Sequence, residues 1–377
     1  MVISKANIFK AEMINGDSIK KVVLKKIKGI SDDEDVAKHA LRELSILSFI
    51  QNLRIIKLLD VVIPKQENLD YLYFVTEEKL GSLNKLMNNL VKDDKYENYI
   101  RFIIHQILIA LKYLHSLKII HRDIKPSNIL IDSNSLIYIC DFELARSIKE
   151  IKTPEKGRFI TKNIGTLYYA APEMLGNEEN GGYNEKVDIW SVGCIMAELY
   201  TGKSPFFKDE KLQNDSNKWN WFEQLKKIFS VFGRPEKNII EKVFKNKEIN
   251  DNIIKNIKEK DYPRKDFSEI FPEIKDKNAL DLLQKLFKFD YKERISAEDA
   301  LKHPFFEEIK FKDKKRKIKE FTNEENEVMF DYFKEIEENN ETEIKPFNYK
   351  INVKKDQIKY CQIEIEKCYQ KFLEEKK

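Results

Sequence analysis

The run H-R-D-I-K-P-S-N at residues 121–128, followed by Asp141 in I-C-D-F-E, constrains this chain more than any other feature. Phosphoryl transfer asks little covalent chemistry of a protein. It needs a hydroxyl held in line and a triphosphate whose charge is neutralised. Asp123 is of the type to accept or orient a hydroxyl proton, and Lys125, two residues on, is of the type to meet the transferred phosphate. Asn128 and Asp141 offer the hard oxygen donors that magnesium prefers. Asp141 lies thirteen residues beyond Asn128, so the apolar run 137–140 must return as a strand beside the polar loop to bring the two together.

Upstream of that loop the pattern is strand-rich. Residues 21–27 (K-V-V-L-K-K-I) and 72–76 (L-Y-F-V-T) read as strands, with a helix over 36–50 that carries Leu41, Leu44, Leu47 and Ser48 on one face. Residues 77–82 read as a connector. Beyond it helices dominate. Ile100, Ile103, Ile104, Ile107, Leu108 and Leu111 form one apolar helical face. Residues 188–199 are apolar almost all round, which predicts a buried helix. Residues 119–120 and 137–140 are short strands, and 279–287 is an amphipathic helix.

Composition excludes several classes. Of the 377 residues 42% are hydrophobic, enough for a sizeable core, and the 68 Lys and Arg nearly balance 64 Asp and Glu, so bulk charge makes no case for nucleic-acid binding. The longest apolar stretch, near 100–114, is broken by His105, Gln106 and Lys112, so no membrane-spanning helix is expected. Cys140, Cys194, Cys361 and Cys368 form neither a C-x-x-C pair nor a disulfide framework. The first residues lack the order of a signal peptide, which leaves the cytoplasm, the nucleus or both as the expected location.

Taken with the motifs that flank the loop, the chain resembles the eukaryotic protein kinases from about Ala6 to Phe306. Lys25 in V-V-L-K resembles the family's phosphate-binding lysine, and Glu43 in A-L-R-E-L-S-I-L its helix partner. Ala171-Pro172-Glu173, Asp188 in D-I-W-S-V-G and Arg294 in K-E-R-I-S match further motifs in the family's order. Glu77 and Lys79 would bound the hinge that touches adenine, with Thr76 guarding the pocket behind it. Thr166 is counted with the catalytic set, and Arg42, Arg122 and Arg146 match arginines that converge on a phosphorylated threonine, here Thr161. The resemblance implies an α+β bilobal fold: a small β-rich lobe over 1–79, a larger helical lobe over 80–308, and a charged, largely helical appendage over 309–377. It implies ATP and magnesium as cofactors, Ser/Thr of proteins as acceptor, and a cyclin-like activator. A-L-R-E-L-S-I-L and the segment 261–272 resemble cyclin-dependent kinases, while I-C-D-F-x-L-A-R resembles mitogen-activated kinases. The chain is expected in the group that contains both, nearer the cyclin-dependent side.

Three departures from the family pattern stand out. Met1, Ile3 and Ala6 fall where its phosphate loop has glycines, through truncation or loss. Glu143 replaces the D-F-G glycine, and Gly165 and Ala170 replace residues that select proline after the acceptor. The rival reading is therefore a weak or inactive kinase-fold scaffold. The bulky run 211–222 resembles a small insertion, and K-K-R-K-I-K at 314–319 is either an import signal or a solvated helix. Cys140 is either a reactive thiol lining the nucleotide site or a small core residue.

Overall fold

The computed structural model describes residues 7–15, 18–50, 52–63, 71–87, 96–148, 167–175, 183–206, 221–244, 246–307, and the single residues 309, 365, 367 and 374. Strands β1 (Asn7–Asn15) and β2 (Ser18–Lys28) form an antiparallel hairpin with Ile8 opposite Lys25 and Ile14 opposite Ile19. β2 pairs in turn with β4 (Tyr71–Glu77), and β4 with β3 (Leu58–Val62), giving the order β1-β2-β4-β3. Strand alternation decides what each face does. Val22 and Leu24 join Ala11, Met13, Leu59 and Val75 in a small apolar cluster, while Lys25, one residue out of phase, points the other way, toward helix α1.

Helix α1 (Glu34–Phe49) begins two residues before the expected start because Asp33 caps it, accepting from the N–H of Asp35 at 2.8 Å and Val36 at 3.3 Å. Glu34 and Asp35 then sit in the first turn, where the helix dipole favours acids. Its Ala37, Ala40, Leu41 and Leu44 are buried in the main core.

After the short helix α2 (Leu83–Met87), helix α3 (Tyr96–Ser116) carries the apolar face read from the sequence and buries every member of it. Helix α4 (Lys186–Thr201) is buried almost all round and stops at Gly202, whose φ of 83° supplies a left-handed cap. At Gly193 an added Cβ would lie 2.9 Å from the Phe287 ring, so this glycine sets how closely α4 approaches the helix covering residues 277–286. Trp190 stacks on Phe206 and meets Phe287 edge-on. The run 211–222 is described only from Trp221, which with Phe222 opens helix α5 (Trp221–Phe232).

Two small sheets join the lobes to the loop. β5 (Gly81–Ser82) pairs with β7 (Ile129–Ile131), and β7 with β8 (Ile137–Ile139). β6 (Ile119–Ile120) pairs with β9 (Arg146–Ser147). Ile139 exchanges backbone hydrogen bonds of 2.9 Å with Arg54 and Ile56, tying β8 to the small lobe. Of the C-terminal appendage, Ile365 is described and is fully buried in the main core. Lys314, Cys361 and Cys368 lie outside the described residues.

The helical lobe is pinned by a buried ion pair. Arg294 donates to both oxygens of Glu173, at 2.6 and 3.0 Å, with neither side chain exposed. Its remaining donors reach Lys186 O and Lys288 O. Removing one partner leaves a buried charge unpaired. Arg294→Met is therefore expected to destabilise the protein by about 3–5 kcal/mol, read as a lowered denaturant midpoint at unchanged slope.

Candidate active site

Between the lobes, three elements meet at one ammonium. Lys25 Nζ lies 2.8 Å from Glu43 Oε2 on α1 and 2.8 Å from Asp141 Oδ1, just after β8. Burial alone would lower the lysine's pKa, but Glu43, Asp141 and Glu143 outweigh it and hold it above the ordinary lysine range. Burial raises Glu43 against the pull of Lys25. For Asp141 the attraction of Lys25 overcomes burial and the carboxyl is depressed. The backbone of Asp141 is left-handed, with φ 69°.

Asp188 shapes the catalytic loop. Its Oδ1 accepts from Arg122 N at 2.8 Å, and its Oδ2 from His121 N at 3.0 Å and His115 Nε2 at 2.9 Å. His115 is a participant that the sequence did not single out; nothing in Y-L-H-S marks it. His121 Nδ1 accepts from Asp123 N at 3.3 Å, so Nε2 carries the proton donated to Cys140 O. Phe142 is fully buried, edge-on to His121 at 4.8 Å.

Asp123 is almost fully buried, and its two oxygens differ. Oδ2 accepts from Lys125 Nζ at 2.7 Å and Asn128 Nδ2 at 2.8 Å. Oδ1 has no hydrogen-bond partner among the described residues. Burial raises the carboxyl's pKa against the pull of Lys125. A buried acceptor without a partner is one that an incoming hydroxyl can satisfy.

Asn128 and Asp141 do come together: Cys140 N donates to Asn128 O at 3.0 Å, and Ile129 pairs with Ile139. Asn128 spends its amide N–H on Asp123, which leaves its carbonyl oxygen as the ligand end. Asp141 gives Oδ1 to Lys25 and retains Oδ2. Two oxygen donors of this kind fit a magnesium ion that draws its other ligands from phosphate and water. No group of three or more His, Cys, Asp or Glu among the described residues forms a protein-only metal cage. The Cys140 thiol is half-buried, donates to Asn128 O at 3.4 Å, and is pushed up by burial, as expected of a packed thiol rather than a reactive one.

Glu143 stands where a backbone restriction was expected, yet it is absent from the residues with left-handed φ, so its Cβ costs no strain here. Its carboxyl is another matter. Burial, then the charges around it with Asp141 foremost, pushes it up to about 7. The three predicted arginines gather on its segment. Arg42 Nη1 donates to Glu143 O at 2.9 Å, Arg122 Nη1 to Leu144 O at 3.3 Å, and Arg146 Nη1 to Ala145 O at 3.1 Å. Thr161, Gly165 and Thr166 lie outside the described residues, as do Met1, Ile3 and Ala6.

At the hinge, Glu77 ends β4 and its carboxylate pairs with Lys20 at 2.6 Å and Lys79 at 2.9 Å. The hydrogen bond from Lys20, ahead of Lys79, holds it below the ordinary range. Among the described residues the peptide N–H and C=O of Lys79 make no hydrogen bond. Thr76 pairs with Val23 and Leu58 inside the sheet.

Residues 7–306 match the family model for the protein kinase domain. Mitogen-activated protein kinase mpkC of Aspergillus fumigatus is 36% identical over 285 residues, covering 75% of this chain and 67% of that one. Mitogen-activated protein kinase 13 of Bos taurus is 36% identical over 296 residues, covering 78% and 73%. These relatives correct the expected leaning toward cyclin-dependent kinases, and with it the basis for a cyclin-like activator. ATP and magnesium are the cofactors of the family these motifs define. The chain belongs to the protein kinase family and is a serine/threonine protein kinase of the mitogen-activated type.

Proposed function

We propose that the cleft transfers the γ-phosphoryl of ATP to a serine or threonine of a protein, with Asp123 receiving the hydroxyl. The observation that carries this reading is the open, buried Oδ1 of Asp123 beside an Oδ2 already satisfied by Lys125 and Asn128. The carboxylate is thereby fixed in rotation, with one lone-pair direction free for the substrate. Lys125, already within 2.7 Å, can shift its charge to the transferring phosphate as Asp123 takes the proton. Lys25, held by Glu43, meets the inner phosphates. Asp141 and Asn128 would hold magnesium, which neutralises the triphosphate when bound. The 77–79 backbone offers the open peptide groups of Lys79 to adenine.

Regulation follows from the arginines. Each of the three guanidinium groups donates to one of three successive backbone carbonyls. A phosphate on Thr161 would offer a dianion instead, with stronger, charge-assisted bonds.

Asp123→Asn is expected to lower phosphate transfer to a generic basic protein by about 10²- to 10⁴-fold, while calorimetry shows nucleotide affinity nearly unchanged. Equal rates would remove Asp123 from the mechanism. Thr161→Ala should behave like unphosphorylated wild type, and mass spectrometry of fully active protein should find Thr161 modified. Full activity with an unmodified Thr161 would leave the arginines a packing role. Glu143 adds negative charge beside Asp141, so ATP affinity should drop steeply when magnesium is chelated. In Glu143→Gly that drop should shrink, because metal-free ATP is no longer repelled by the Glu143 carboxylate. Thermal shift with ATP, with and without chelator, measures both.

A further inference from the structure

Lys79 is a lysine that the fold has nearly closed over, with 8% of its side chain exposed. An ammonium gives up its water only where other groups replace it. Here one carboxylate and one aromatic face do so: Glu77 Oε2 at 2.9 Å and the Tyr138 ring, whose centroid is 3.4 Å from Nζ. The ring is itself fixed. Tyr138 OH donates to Asp132 Oδ2 at 2.8 Å, and Asp132 Oδ1 accepts the N–H of Asn134 and Leu136 in the β7–β8 turn. Tyr138 faces Leu130 across the β7–β8 ladder. β5, which starts two residues after Lys79, is paired to β7.

This side chain therefore fastens the end of β4 to the strand that delivers Asp141 two residues beyond Ile139. Residues 78–80 belong to no strand or helix. Their backbone is otherwise held by Glu78 N on Lys21 O at 3.3 Å and by the exposed pair Lys10–Glu78, which is worth little in water. A neutral apolar residue at 79 would fill the same space without engaging both Glu77 and Tyr138.

Taking the cleft as an ATP site, as above, we propose that Lys79 is a positioning residue: pinned between Glu77 and Tyr138, it holds the 77–79 backbone in register with the strand carrying Asp141. The peptide groups offered to the base and the carboxylate offered to the metal–phosphate end then move as one unit. Nucleotide binding depends on this unit more than the chemical step does, because Asp123 is fixed by Lys125 and Asn128 and the 121–122 peptides ahead of it by Asp188.

The test is steady-state kinetics with ATP varied and a protein substrate held saturating. Lys79→Met keeps the apolar stem and removes the charge. It should raise KM for ATP about 3- to 30-fold, the range spanned by cation–π contacts from exposed to desolvated, with a much smaller change in kcat. Lys79→Arg, which can both pair and stack, should return KM close to wild type. Tyr138→Leu should raise KM similarly, and the double variant should be no worse than either single one, as for two ends of one contact. If Lys79→Met melts below the assay temperature, Lys79→Gln reports the same loss of charge. An unchanged KM in the charge-removing variants, an additive double variant, or failure of arginine to rescue would overturn the role given to Lys79 and leave the ATP reading standing. Calorimetry showing no binding of magnesium–ATP to the wild type would overturn the ATP reading and the role of Lys79 with it.

Discussion

A fully buried carboxylate, Asp188, sets the geometry on which the catalytic loop depends. Burial alone would raise its pKa, but the hydrogen bonds from His115 and from the backbone of His121 hold it below the ordinary carboxylate range. In return it fixes the Arg122 peptide in a left-handed conformation, φ 69°, which costs a non-glycine residue roughly 1–2 kcal/mol. That turn separates His121, which meets Phe142 edge-on and orients Asp123 N, from Arg122, which reaches Leu144 O. Asp188 can act as an anchor because α4 is immobile in the core, where Gly193 admits Phe287 and Trp190 packs against Phe206. Rigidity thus passes from an apolar helix, through one ionised group, to the loop that carries Asp123.

The cleft is built with more carboxylates than cations. Glu43, Asp123, Asp141 and Glu143 face Lys25 and Lys125; burial raises Glu43 and Glu143, while Lys25 holds Asp141 down against burial. Such a site is unfavourable for a bare polyanion and favourable for one that arrives with a divalent cation. The open oxygens of Asp141 and Asn128 lie on the side of the cleft where that cation would be needed.

Much of this was legible in the sequence, for a physical reason. The loop motif, the strand before Asp141 and the helix around Glu43 are short-range constraints, with spacing set by strand pairing and helical period. The branch was misread because A-L-R-E-L-S-I-L was weighed as a specificity feature. In the structure Leu41, Leu44 and Leu47 are core residues, and core packing is common to a fold rather than particular to a branch. The contact of Lys79 with Tyr138 spans 59 positions between two motifs and follows no periodicity, so the sequence marked Lys79 at the hinge but not its partner. Glu143 replaces the D-F-G glycine and so adds a Cβ and a carboxylate to that segment. Here the left-handed residue is Asp141, two positions earlier, and Glu143 occupies ordinary backbone.

That placement explains how the segment after Asp141 can be both held and responsive. Its three carbonyls, at 143, 144 and 145, are each held by an arginine from a different source: α1, the catalytic loop, and the segment itself. Arg42 is adjacent to Glu43 on α1, so a displacement of that helix disturbs the Lys25 pair and the Glu143 carbonyl together. Arg122 is adjacent to Asp123, so the loop and the segment are likewise linked. A group that drew the three guanidiniums toward itself would act on Lys25, Asp123 and Asp141 in a single movement. The coupling needs no long pathway, because each arginine neighbours a residue of the active site in the chain or lies a few positions beyond Asp141.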